Sequence, residues 1–278
     1  MSKNNNISFR ERFELNDRVA VVTGGTGILG RRFCAGLAEF GAKVAVVDLE
    51  EEIATEYAKQ LQSEYGVECV GVECDVSSVA SVRAMADRIE RDLGAIDILH
   101  NNAASKGGDL NNFFSPFEEY GLDTWKDVMS VNLDGMFLVA QAIGSRMANR
   151  GRGSIIQTAS IYGPSMGPDQ RIYSGSEYMG VCINTPPVYP ASKGGVVALT
   201  NYLATYWAQK GVRVNALSPG GVESGQNEIF YNKYSSRVPM QRMGERDEMV
   251  GALIFLASDA SSYVTGQNIF VDGGLSAW

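Results

Sequence analysis

The sequence predicts an α/β fold: a Rossmann-type doubly wound parallel sheet of about seven strands with helices on both faces. Three observations carry this. Apolar runs of strand length alternate with helix-length segments along nearly the whole 278-residue chain. The strands read as near-continuous Val/Ile runs, the pattern of strands covered on both faces. The first strand also ends in a glycine-rich turn that opens a helix.

The elements follow in order. "RVAVVTG" is the first strand, and Ile28–Phe40 is a helix stopped by Gly41. "KVAVVDL" is a strand, and Glu50–Tyr65 is a charged amphipathic helix ending at Gly66. "VECVGVECDV" is a strand, Ser78–Leu93 a helix and "AIDILHNNA" a strand. Thr124–Asn149 is a long helix, "GSIIQTAS" a strand, and Pro190–Gln209 a helix closing near Gly211. "VRVNALSPG", a helix over Asp247–Ala257 and "NIFVDGG" complete the series. Residues 1–16 form a polar N-terminal extension, and residues 17–278 form a single domain that no linker or repeat divides.

Composition narrows the function. Apolar residues make up 45% of the chain, enough for a sizeable core, and the formal charge is −8. Nucleic acid and anionic membrane surfaces are poor partners for such a chain. "MSKNNNISFRERFELNDR" has no apolar h-region, so a cytoplasmic protein with reduced cysteines is expected. The four cysteines, Cys34, Cys69, Cys74 and Cys182, lack metal-type spacing. The single histidine, His100, excludes a multi-histidine site, and no metal is expected. A Ser-His-Asp hydrolase would need His100 as its base. It ends an apolar strand, so it is read as structural or cofactor-adjacent.

"TGGTGILG", Thr23–Gly30, lies between the first strand and the first helix. Gly25, Gly27 and Gly30 spell G-x-G-x-x-G. With Gly24, Ile28 and Leu29 they form a turn whose backbone can approach a pyrophosphate at a helix N-terminus. Asp48, followed by Leu49, ends the second strand 18 residues after Gly30. There it should accept hydrogen bonds from an adenosine ribose and repel a 2′-phosphate. This favours NAD as cofactor, with NADP the weaker expectation; Arg31 and Arg32 argue the other way, since either could reach a phosphate.

A tyrosine has a reference pKa of about 10 and needs a neighbouring cation to exchange protons near neutrality. Tyr162, Tyr173, Tyr178 and Tyr189 all lie between Ile161 and Lys193. On a helix, position i+4 shares a face. Four residues on stand Met166, Glu177, Cys182 and Lys193, so only Tyr189 gains a cation.

These residues are part of a wider pattern. With the glycine turn stand "CDV" at Cys74–Val76, "NNAA" at Asn101–Ala104, Asn132 in "SVNLDG" and Ser160 in "TAS". "YPASK" at Tyr189–Lys193, "SPGGV" at Ser218–Val222 and "YVTGQNIFVDGG" follow. In this order they resemble the classical short-chain dehydrogenase/reductase family over nearly the whole chain. The resemblance implies that Tyr189 is the acid/base at a substrate hydroxyl or carbonyl. It makes Lys193 the group that lowers its pKa and holds the nicotinamide ribose, and Ser160 the group that orients the substrate oxygen. Asn132 would anchor a water leading from Lys193 to solvent. Asp75 and Val76 would flank the adenine. Asn102, Ala103 and Ala104 would line the middle of the cofactor, and Pro219, Gly220 and Val222 would border the nicotinamide. It also implies a homotetramer. Two departures stand out: Ile28 occupies the family's middle glycine position, with Gly27 one place earlier, and Ala104 replaces the glycine of "NNAG".

Ser160 and Tyr189 are 29 positions apart, more than is usual in the family. The extra stretch, 164–187, is read as an active-site insertion, since both its ends are tethered to catalytic residues. Its polar groups suit a hydroxylated substrate. Tyr162, Gln170, Arg171 and Glu177, with Ser160 and Tyr189, are the candidate substrate contacts, Arg171 as a partner for a carboxylate. The insertion and the later Phe230, Tyr234 and Pro239 are similar to bacterial sugar-modifying members. The expected function is NAD-dependent hydride transfer between nicotinamide and a secondary alcohol or ketone of a sugar, polyol or sugar acid. The alternatives are an NAD(P)H-dependent 3-oxoacyl reductase and a non-catalytic dinucleotide sensor. The intact Asn132, Ser160, Tyr189, Lys193 set speaks against the sensor.

Overall fold

The computed structural model describes residues 8–278, so the first seven residues of the polar extension lie outside the described residues. The strands are β1 (Val19–Thr23), β2 (Lys43–Asp48), β3 (Cys69–Glu73), β4 (Ile96–Asn101), β5 (Gly153–Thr158), β8 (Val212–Pro219) and β9 (Asn268–Val271). They form one seven-stranded sheet in the order β3-β2-β1-β4-β5-β8-β9, with every adjacent pair parallel. A parallel sheet needs a crossover between successive strands, and the helix-length segments supply them. Strand order reverses between β1 and β4. The crevice beyond the carboxyl ends of the strands at that switch point is where α/β sheets take ligands.

Alternate strand residues serve two cores. Val21, Val47, Val72 and Leu99 pack under α3 (Val79–Asp92), α6 (Met136–Arg150) and α7 (Val188–Trp207). Ala20, Val22, Val46 and Ile98 pack under α1 (Ile28–Glu39), α2 (Glu51–Tyr65) and α9 (Val250–Ala257). This explains the unbroken apolar runs: both faces of the central strands β1, β4 and β5 are dry. The segment Leu122–Arg150 is long and apolar enough to cross a membrane by length and composition. Its apolar side is spent on the sheet instead, with Val139, Ile143 and Met147 fully buried.

Several boundaries move. The long helix begins at Leu122 rather than Thr124 and is not continuous. α5 (Leu122–Met129) passes through a π turn at Ser130–Gly135 into α6. The next long helix begins two residues early, at Val188. Leu15, inside the polar extension, is fully buried, and its N–H donates to the carbonyl of Phe40 (2.8 Å). Packed structure therefore starts before the polar-to-apolar change at Asp17. Short elements carry too little periodicity to read: α4 (Leu110–Phe113), α8 (Glu228–Ser235) and an antiparallel hairpin, β6 (Glu177–Tyr178) with β7 (Val181–Cys182).

The stretch 164–187 is not a bare polar loop. Ile172 is buried with Ile161, Tyr162, Phe230, Tyr234 and Leu275 in a small third core. That core joins the insertion to α8 and the C-terminal turn, and it builds one wall above the carboxyl end of the sheet.

Candidate active site

The glycine turn is shaped by close backbone approaches. Gly24 has φ +65°, a conformation that favours glycine. A Cβ at Gly30 would stand 1.9 Å from the Gly24 carbonyl oxygen. Gly27 is the N-cap of α1 and no side chain caps that helix, so its first-turn N–H groups remain available to an anion. Ile28 needs no glycine geometry: it is the first residue of α1 and its side chain is exposed. These features fit a dinucleotide pyrophosphate.

Asp48 stands beside this turn at the end of β2. One carboxylate oxygen accepts from Thr26 N (2.9 Å) and Thr26 Oγ1 (2.6 Å), and the other accepts from Leu49 N (2.9 Å). The carboxylate is thus locked to the glycine turn, and the second oxygen keeps accepting capacity. Leu49 is exposed alongside it. Asp75 is exposed at the end of the β3 connection, accepting from Ser77 N (2.9 Å), and Val76 is buried beside Gly135.

One polar network ties the strand ends together. Thr23 Oγ1 accepts from Asn102 N (2.9 Å) and Ala103 N (3.0 Å). Asn102 Oδ1 accepts from Thr158 Oγ1 (3.1 Å), and His100 Nε2 meets the same hydroxyl at 2.9 Å. Burial lowers His100 to about 3, so it is neutral and structural; its ring packs edge-on against Phe33. Lys193 is buried, and its Nζ donates to the Thr158 carbonyl (2.8 Å). Burial brings Lys193 down from 10.5 to about 8.

Tyr189 lies in the first turn of α7. Side chains lean toward the N-terminus of a helix, so its phenol sits at the positive end of a 20-residue helix. Partial burial raises its pKa, and the Ser160 hydroxyl in the same cleft acts the other way. Direct pairing with Lys193, the basis for choosing Tyr189, is not what the structure shows: the Lys193 ammonium is directed to Thr158, with no contact to the Tyr189 phenol among the hydrogen bonds described. Residue 193 is buried, and its ammonium finds its acceptor at the end of β5.

Asn132 is fully buried in the π turn, a feature frequent at functional sites. Its Oδ1 accepts from Ser105 N (2.7 Å) and its Nδ2 donates to Ser105 O (3.3 Å). Both ends of the amide therefore engage the loop after β4.

Ser160, Tyr189, Asn132 and Tyr162 line one cleft of about 340 Å³, with Ala104, Gly220 and Val222. Gly220 is required there: a Cβ would stand 2.7 Å from Asp272 Cα, while its N–H donates to Val271 O (2.9 Å) just past Pro219. Three expected substrate contacts do not line the cleft. Gln170, Arg171 and Glu177 are exposed, because the insertion turns its apolar side chains inward. Arg171 is 89% exposed and its guanidinium is held by Asp169 (2.7 Å), so it is not free to meet a carboxylate in the cleft. The insertion instead contributes Tyr173, Tyr178, Ile183, Asn184, Thr185 and Pro186. Tyr173 and Thr185 are hydrogen-bonded to each other through their hydroxyls.

Sequence reasoning missed Lys106, Phe114, Gln226 and Met243, which also line the cleft. They come from segments far apart in the chain, and no spacing rule connects them. Cys182 is exposed on β7, Cys34 and Cys74 are buried, and all four cysteines are free. A larger cavity, of about 730 Å³, opens at the opposite, amino ends of β5 and β8. It contains none of the expected residues, and its arginines are already paired: Arg18 with Asp259 (2.6 Å), Arg152 with Asp97 (2.9 Å), and Arg213 with backbone carbonyls.

A family model described as enoyl-(acyl carrier protein) reductase matches residues 26–276. The chain is 34% identical to a D-threitol dehydrogenase of Mycolicibacterium smegmatis, over 99% of this chain and 98% of the relative. It is 33% identical to a gluconate 5-dehydrogenase of Gluconobacter oxydans, over 97% and 99%. A solved gluconate 5-dehydrogenase from Burkholderia cenocepacia, in complex with NADP and tartrate, superposes with a TM-score of 0.83. That match is 36% identical and covers 96% of this chain and 98% of the other.

Proposed function

Because the chain belongs to the classical short-chain dehydrogenase/reductase family, we propose that it is an NAD-dependent oxidoreductase acting on a secondary alcohol or ketone of a sugar, polyol or sugar acid. The observation that carries this is that Ser160 and Tyr189 line one cleft walled by hydroxyl, amide and aromatic side chains. The relatives named for threitol and gluconate support the substrate class.

The nicotinamide, when bound, supplies the hydride acceptor or donor, and the chain supplies position and proton traffic. The Gly24–Gly30 turn, Asp48, Asp75, Val76, Asn102, Ala103, Pro219 and Val222 would hold the dinucleotide, with Lys193 on its ribose. Ser160 orients the substrate oxygen. Tyr189 takes the hydroxyl proton during oxidation and returns it during reduction. The end of α7 and the buried Lys193 charge favour its phenolate against the opposing effect of burial. Asn132 holds the Ser105 backbone, and with it the loop that borders the cleft.

Asp48 supports NAD, because its negative charge lies where a 2′-phosphate would approach. The Burkholderia structure, bound to NADP, makes this the point to test. We expect NAD to win on kcat/KM when nicotinamide absorbance is followed with a panel of polyols and sugar acids. Asp48→Ser should narrow the gap. A wild type that prefers NADP would overturn the role given to Asp48.

A further inference from the structure

We propose that Lys106 is the specificity residue of this cleft and that it selects a polyhydroxy carboxylate, a sugar acid, over the matching neutral polyol. The inference rests on the function proposed above and names its substrate class.

The cleft over Ser160 and Tyr189 is lined by a single charged side chain, Lys106, and by no Asp or Glu. That is notable in a chain of net charge −8. Against such a background, one cation in a cleft that no carboxylate lines makes a local site for an anion. Lys106 has no hydrogen-bond acceptor and no ion-pair partner among the described residues. Its Nζ lies 3.8 Å from the ring centroid of Tyr178, so the ammonium is held by an aromatic face and keeps its three donors unspent.

Its backbone is fixed on both sides. Asn132 grips Ser105 through two hydrogen bonds (2.7 and 3.3 Å). Gly107 donates its N–H to Ser105 Oγ (2.9 Å) and has φ +72°, a left-handed conformation. Tyr178 is fixed in turn by the β6–β7 pairing and by a bridge to Gln226. The same cleft therefore holds the reacting end, at Ser160 and Tyr189, and a preset cation reached from another segment. A substrate with a secondary hydroxyl at one end and a carboxylate at the other satisfies both. Arg171, the cation expected for this task, is held by Asp169 outside the cleft.

The test is steady-state kinetics of wild type, Lys106→Met and Lys106→Arg, with NAD and with NADP. The substrates are matched pairs: threonate with threitol, xylonate with xylitol, and gluconate with sorbitol. The expected result is a wild type that favours the acid of its best pair. Lys106→Met should lower the acid-to-polyol ratio of kcat/KM about ten- to hundredfold, mainly through KM for the acid. Lys106→Arg should recover most of that ratio. A wild type that favours the polyol, or a Lys106→Met variant that leaves the ratio unchanged, overturns the inference while leaving the proposed function in place. An equal fall for both members of a pair would also overturn it, since Lys106 would then act by holding Tyr178. No turnover of any pair by the wild type with either dinucleotide would instead sink the proposed function.

Discussion

The partly buried Tyr189 and the buried Lys193 both have ionised forms disfavoured by lost hydration, and that makes the site pH-dependent in a stated direction. Oxidation needs the phenolate to accept a proton, while reduction needs the phenol to give one. With Tyr189 raised by burial, kcat/KM for alcohol oxidation should climb from pH 6 to pH 9, and that for ketone reduction should fall. Parallel profiles in both directions would contradict this. Tyr189→Phe should lower kcat by about 10²–10⁴ with dinucleotide affinity retained, as read by turnover and by titration of nicotinamide fluorescence. Lys193 has a stability consequence. Its pKa falls from 10.5 to about 8 on folding, so between those values the unfolded chain holds the proton and the folded chain does not. Stability therefore rises with pH across that window, and the cost of the buried cation is fully present below pH 8. Lys193→Met should be inactive yet more stable at pH 7 by about 1 kcal/mol, roughly 2–4 °C in Tm. The gain should shrink toward pH 10, because the wild type no longer carries the buried charge there.

At the scale of elements, close packing sets the tolerances. Gly71 in β3 lies under α2, where a Cβ would stand 2.2 Å from Thr55 N. The obstacle is helix backbone, which cannot swing aside. Gly71→Ala should cost about 1–3 kcal/mol, measured by denaturant unfolding, with no direct effect on the cleft. The β6–β7 hairpin offers the opposite case. Ile183 N donates to Ser176 O (3.1 Å), so the hairpin's base is already closed and residues 177–182 can be replaced by a tight turn. Ile172 and the third core stay in place. This excision should raise substrate KM by removing Tyr178 from the cleft wall, while dinucleotide affinity changes less than about twofold. A loss of dinucleotide affinity of the same size as the KM rise would mean that the hairpin supports the whole site.

On the whole molecule, α7 and α6 present an exposed aromatic surface. On α7 the inward residues Leu203, Ala204 and Trp207 pack on the sheet. The opposite side presents Tyr202 and Tyr206, stacked at 5.6 Å and more than half exposed, next to the exposed Phe137 of α6. We expect a homotetramer that buries this surface, with a mass near four times the 30.0 kDa chain by light scattering. Tyr206→Glu should shift the mass downward by placing charge in a desolvated contact. A micromolar monomer in the wild type would refute it.

Much of this was readable in the chain itself, because it rests on local rules. Strand–helix alternation, the glycine turn and the Asp48 strand end depend on spacings within a few residues of one another. The expectation for Tyr189 among four tyrosines also rests on a short spacing, and the start of α7 at Val188 adds a helix dipole beneath the phenol. What only the tertiary structure decided is where each polar side chain ends. Asp169 takes the guanidinium of Arg171, the Thr158 carbonyl takes the ammonium of Lys193, and Ser105 takes both ends of the Asn132 amide. Lys106, Tyr178 and Gln226 meet at one cleft though they come from three separate stretches. Such meetings are set by long-range packing and by the demand that buried polar groups find partners, and neither leaves a periodicity in the sequence.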